Sequence, residues 1–421
     1  MAVIVVAVAV PLFSSYAGFD PTPITGDKLY PRLQNYAAAR TPSLGIHHGI
    51  DFSQIWLSAR HIAAGEEVYY PVDHKIWRRK WSSTYHPLIH WLYVPLGNLP
   101  FQTALISHNL LGIAVLLLCG ALALRSAGCL GGFPSVAAAI LAAMALTPVG
   151  LLHLERGQMD LYVASSLLCV FTFFARGGRA WAIAAGFLST LKVQAWIFVG
   201  FYWCWATALS GPRDRRAWWV PATIGLLTLI FASQVVQWIP SFLYVAGNSA
   251  VRGPSFTRVL PNAIVYAIPL VSTLLVGLAC FLYLRARGQL ADLAGRRALR
   301  ERVSFPFAAA LALQTICGTP VTHDYRLVAL LGLLPALPLW CARAGGVPGW
   351  VRNTVSLGYG VLIPVAFRAQ PFTTMSYESA AWVLLAFSLA FLAAALYLAA
   401  RPATEAAAAP SNPLASAFGS A

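Results

Sequence analysis

Charged side chains are scarce in this chain and acidic ones scarcer still: only 10% of the 421 residues are charged, and Asp and Glu together number 14. A soluble domain of this length needs a charged surface, so the shortage excludes the ordinary soluble classes. Paired cysteines are lacking as well. The seven cysteines lie scattered in or beside apolar stretches with no CxxC spacing, which supports neither a disulfide framework nor a zinc site. The short alternating segments of an outer-membrane barrel are absent, and no fixed-period repeat is found.

What is present is apolar sequence, with 58% hydrophobic residues and a mean hydropathy of +0.67. Stretches of about 20 apolar residues cross a bilayer as helices, because a helix satisfies its own backbone where there is no water. The net charge of +15 comes from short basic clusters between apolar spans. That pattern fits positive-inside topology and gives no reason to expect nucleic acid as a partner.

Reading spans between the clusters predicts an all-α polytopic membrane protein with about twelve crossings and a cytoplasmic N-terminus. Residues 2–19 form a retained first helix, and 20–84 form a long external loop. The stretch 85–124, broken by Pro87, Pro95 and Pro100, is a membrane-entering segment followed by a second crossing. Further crossings fall near 134–152, 159–175, 180–191, 194–209, 217–238 and 263–284, then 304–318, 325–342, 353–368 and 378–400. The short pair 180–191 and 194–209 reads as a helical hairpin with Lys192 and Gln194 at its tip. Residues 1–401 thus make one transmembrane domain, and 402–421 is an Ala/Pro/Ser-rich disordered tail. On this topology, 15 basic residues fall in cytoplasmic loops against six in the short external turns.

Within the first loop, Phe52, Ile55, Trp56, Ala59 and Ile62 recur at helical spacing opposite Gln54, Arg60 and His61. This predicts an amphipathic helix lying in the membrane interface and stopped by Gly65. Tyr69, Tyr70, Trp77, Trp81 and Tyr85 interleave with Lys75, Arg78, Arg79 and Lys80, a pattern suited to the headgroup level.

Ionisable residues at membrane depth are costly and are therefore candidates for function. On the predicted topology most fall on the external side: Asp51 in the loop, then His153, Glu155, Arg156, Gln158 and Asp160 in one turn. Lys192 and Gln194 sit at the hairpin tip, Asn248, Arg252, Arg258 and Asn262 in the next external loop, and His323, Asp324, Tyr325 and Arg326 after it. Arg and Lys neutralise phosphate, and one carboxylate beside a hydroxyl can act as a general base. The alternatives are structural. Asp51 could cap its helix, Lys192 could snorkel from a short helix, His323 and Asp324 could be a hydrogen-bonded pair, and Glu155 with Arg156 reads as a local turn pair. No metal or other cofactor is expected, since no two His or carboxylates stand at i, i+4 in this region.

DFSQIWLSARHIAAGEEVYYP followed by STYHPLIHWLYVPLGNLP resembles the opening of glycosyltransferase family 87. RGQMDLYVASSLL, AAGFLSTLKVQAWIFV and TPVTHDYRLVALLGLLPAL are similar to that family's later motifs, in the right order over residues 50–340. The departures are His86 where the family usually has Pro, Asp160 where Asn is common, and Ser189 where Gly or Ala is usual. The resemblance implies a GT-C fold and transfer of a sugar, often mannose, from a polyprenyl-phosphate donor. The acceptor would be an envelope glycolipid or polysaccharide at the extracytoplasmic face of the cell membrane. It further implies that Asp51 is the base. Lys192, Arg258 and His323 are then expected to hold the donor headgroup, with Gln194, Asp324, Tyr85, His86, Gln158 and Asp160 as further substrate-binding residues. A transporter or lipid flippase, with broken helices and midplane charges, is the competing expectation, and a non-catalytic envelope scaffold is a third.

Overall fold

The computed structural model describes residues 51–66, 68–69, 85–210, 215–248, 253–318 and 324–401, and these are all-helical. The predicted first helix, residues 20–50 of the loop, most of its aromatic and basic run, His323 and the tail lie outside the described residues. Four helical stretches are long and apolar enough to cross a membrane: Phe101–Ser126, Asn262–Ala286, Arg326–Arg343 and Tyr377–Ala400. Two bent pairs would raise the number to six. Several other predicted crossings correspond to helices that are shorter or carry charge.

The chain opens with α1 (Phe52–Ala63), α2 (Pro87–Leu92), α3 (Val94–Gly97) and α4 (Phe101–Ser126). The apolar stripe on α1 was expected to face lipid. Instead Phe52, Ile55, Trp56 and Ala59 are fully buried in the protein core, against α2, α3 and the start of α4. Trp56 Nε1 donates to Leu99 O at 3.2 Å, which ties the helix down. The helix ends where expected, with Gly65 at φ +73°.

The predicted crossing 134–152 is broken. Helices α5 (Phe133–Leu146) and α6 (Pro148–Arg156) meet at 76°. Thr147 is extended, as the residue before a proline tends to be, and its Oγ1 accepts from Gly150 N at 3.1 Å to cap α6. Pro148 occupies the first position of that helix, where its missing N–H costs nothing. A Cβ at Gly150 would overlap the Ala143 carbonyl, so the fold-back needs glycine there.

The core is formed by two helices with long stretches buried on every side. All residues of α7 (Asp160–Arg176) from Asp160 to Phe174 are buried. In α13 (Leu293–Cys317) burial is continuous from Arg302 to Thr315. The alanines of FAAALAL, fully buried, let α13 approach its neighbours closely. Around this pair stand the hairpin α8 (Arg179–Leu191) and α9 (Gln194–Ser210), the outer helix α12 (Asn262–Ala286), and α14 (Ala336–Arg343), α15 (Gly349–Ala366) and α16 (Tyr377–Ala400). The second broken crossing consists of α10 (Trp219–Ile230) and α11 (Ala232–Asn248), bent by 91°. Its second half lies against α2, where Trp91 Nε1 donates to Gln234 Oε1 at 3.2 Å.

Candidate functional site

Asp51 immediately precedes α1 but does not cap it. Its carboxylate accepts from Arg156 Nε, a residue 105 positions later at the end of α6. Arg156 acts on its neighbour Glu155, as the sequence suggested, but its ion pair is with the candidate base. What permits the approach is Gly157, which ends α6 in the left-handed conformation at φ +64°. A Cβ there would stand 2.5 Å from Leu105 Cδ1 and 2.6 Å from Phe52 Cβ.

The chain then turns into α7 and presents Gln158 and Asp160. Opposite them, the tip of the α8–α9 hairpin presents Lys192 in extended conformation. Lys192 Nζ donates to Asp160 Oδ2 at 2.8 Å and to Gln158 Oε1 at 3.2 Å. The Lys192 and Asp160 side chains are 5% and 4% exposed, whereas Arg156 and Asp51 keep 18% and 15%. One ion pair is thus closed, and the other is open enough for a ligand to reach.

Tyr85 links the two pairs. Burial pushes its phenol well above the ordinary tyrosine range; the carboxylates of Asp51 and Asp160 push it further, and Arg326 and Arg156 oppose them. Lys192 is drawn below the usual lysine range by burial first, an effect that Asp160 opposes and Arg326 reinforces. Six residues from five places in the sequence therefore act on one another at a single end of the bundle. Among the described side chains three basic residues, Arg156, Lys192 and Arg326, converge here with Asp51 and Asp160, and Glu155 acts on Arg156 as well. Tyr85 remains a protonated donor beside them.

A buried hydrogen-bond chain supports this group. His108 Nε2 lies 3.2 Å from the Gln158 carbonyl and must donate to it, so Nδ1 accepts from Tyr93 OH at 2.6 Å, and Tyr162 OH donates to Tyr93 at 3.0 Å. Phe52 stacks on the His108 ring with centroids 4.9 Å apart. The residue after Asp51 and the turn carrying Gln158 therefore rest on the same imidazole.

Other expected site residues are placed elsewhere. His86 Nδ1 accepts from Leu88 N at 3.2 Å and caps α2, and its ring faces Trp238 at 5.5 Å. Gln194 is half-buried in the first turn of α9. Arg258 Nε donates to Gly253 O at 2.6 Å, and its guanidinium lies over the Tyr377 ring, which it shares with Arg368. Ser255 Oγ donates to Cys317 O at 3.2 Å, which keeps this turn at the same end of the bundle. Arg258 is nevertheless not among the charges acting on Tyr85 or Lys192. Asp324 opens the 3-10 segment Asp324–Leu333 that carries Arg326 to the cluster. Tyr69, expected at headgroup level, is buried, and its hydroxyl donates to Tyr85 O at 2.7 Å. Sequence reasoning assigned no role in substrate binding to Arg156 or Arg326. Both stand inside quoted motifs, RGQMD and HDYR, which was the signal available.

Comparison with protein-family models, with curated proteins and with solved structures finds no match for this chain.

Proposed function

We propose that this protein is a membrane glycosyltransferase of GT-C type, with about twelve crossings, that takes a sugar from a polyprenyl-phosphate donor. In this reading the site faces the extracytoplasmic side of the cell membrane. The observation that carries it is the pairing of Asp51 with Arg156 next to the Lys192–Asp160–Gln158 group, with Tyr85 between them. A general base, converging cationic side chains and a phenolic donor are the groups that an inverting displacement from a lipid phosphate requires. Asp51 takes the proton of an acceptor hydroxyl as that oxygen bonds to the anomeric carbon. The bond from that carbon to the phosphate oxygen breaks, and the lipid phosphate leaves with the electron pair. Arg156, Lys192 and Arg326 stabilise the charge that develops on it. The sugar is mannose by resemblance, and the acceptor is an envelope glycolipid or polysaccharide.

A transporter is the second reading, favoured by the two bent helix pairs, because broken helices also build transport sites. Incubating the purified protein with polyprenyl-phosphate mannose, arabinose or glucose and an envelope-lipid acceptor separates the two. A transferase releases polyprenyl phosphate from one donor in step with acceptor glycosylation. Movement of intact donor across a vesicle with no bond cleavage would favour the transporter.

A further inference from the structure

At the end of the bundle opposite Asp51, the C-termini of α7 and α9 and the first half of α13 enclose a cavity of about 550 Å³. Arg176, Arg216, Arg296, Arg297 and Arg300 line it, and no carboxylate does among the described residues. Among the described residues, the neighbouring acids are already engaged. Asp292 accepts from Ala294 N and Gly295 N, and Glu301 accepts from Arg297 and Arg343.

Helix capping accounts for part of this charge. Arg300 Nη2 donates to Phe174 O at 2.8 Å, and Arg296 Nε donates to Leu209 O at 3.0 Å, so both complement the carbonyl ends of α7 and α9. Arg300 also donates to Ser210 Oγ, and Arg296 to Ala208 O and Leu290 O; all these acceptors are neutral, so the hydrogen bonds leave the positive charge uncancelled. Arg176 and Arg216 stand exposed on the rim, where their charge adds to a field that already repels them. Convergence of like charge around a void is relieved when an anion enters it.

The remaining wall is apolar, from Phe173, Phe174, Leu209 and Leu293. Beside the rim, Trp218 and Trp219 are 58% and 41% exposed, as tryptophans are at the level of lipid headgroups. We propose that this cavity binds the phosphate headgroup of an anionic phospholipid, the arginines holding the phosphate and the apolar wall receiving the start of the acyl chains. This proposal does not depend on the glycosyltransferase reading.

The purified full chain in detergent micelles is titrated with phosphatidylglycerol, phosphatidylcholine or inorganic phosphate, and bound species are counted by native mass spectrometry. Phosphatidylglycerol is expected to bind about tenfold more tightly than phosphatidylcholine and to resist millimolar inorganic phosphate. The double variant Arg176→Gln/Arg216→Gln and, separately, Arg297→Gln should lose that preference. Arg125→Gln, an exposed arginine that does not line the cavity, should keep it. The cap-forming Arg296 and Arg300 are untouched, and an unchanged lipid-free melting temperature verifies the fold. Unchanged preference in both cavity variants, equal retention of phosphatidylcholine, or displacement by inorganic phosphate would overturn the proposal.

Discussion

Asp51 had a local use available, as cap of the helix it precedes, and the structure spends it on Arg156 instead. That outcome separates two kinds of information in the sequence. The Lys192 site was legible, because a lone lysine between two short apolar helices can only stand at a turn, and Asp160 begins a helix whose start is marked by the preceding glycine turn. The Arg156 partner was not legible, because an adjacent Glu155 offers a sufficient local explanation, and pairing across 105 positions is a property of the fold. Burial makes the Lys192–Asp160 pair sensitive. Removing one partner leaves the other charge uncompensated at a depth where water cannot serve it. Asp160→Asn should therefore lower stability by about 3–5 kcal/mol, read as thermal unfolding in detergent micelles. The double variant Asp160→Asn/Lys192→Met should recover most of that loss. If the single variant melts with the parent protein, the pair is not the buried salt bridge described.

At the scale of elements, α1 shows where periodicity stops being informative. Its apolar stripe and its stop at Gly65 were readable, but a stripe at helical spacing is satisfied equally by lipid or by protein. Only the packing of Phe52, Ile55 and Trp56 into the core decides between them. The break between α5 and α6 was lost for a related reason: averaged hydropathy runs smoothly through Thr147 and Pro148, although that dipeptide carries both a cap and a helix start. This break has a consequence at the site, since α6 delivers Arg156 and ends on Gly157. Gly157→Ala combines an unfavourable left-handed residue with a Cβ forced against Leu105 and Phe52. Its cost should be about 1–3 kcal/mol of stability from backbone strain, with sugar transfer falling more than unfolding alone explains. Equal transfer per folded molecule in the variant and the parent would show that the α1–α6 junction does not position Asp51.

At the scale of the whole molecule, the sequence made two things plain and hid two others. The apolar composition announced a helical protein with membrane-crossing elements, and the polar residues were expected at one face. Asp51, Arg156, Asp160, Lys192 and Arg326 do gather at one end of the bundle. The number of crossings was harder to read, because α7 and α13 are wrapped by other helices and need not meet lipid at all. A helix of 17 residues such as α7 extends only about 25 Å, and in the core its length answers to its neighbours instead of to the bilayer. The charge pattern also left the arginine cavity unannounced, since positive-inside bias already accounts for basic residues between spans.

The central claim is that Asp51 is the base of a transfer reaction at the end of the bundle where these charges converge. It is tested most directly by release of polyprenyl phosphate from a labelled lipid-linked sugar, comparing purified parent protein with Asp51→Asn. Asp51→Asn keeps a side-chain oxygen that can accept from Arg156, so the variant should fold, and its melting temperature verifies this. The account predicts a loss of turnover on the order of 10²–10⁴-fold with donor binding retained. Parent-level release by the folded variant would contradict it.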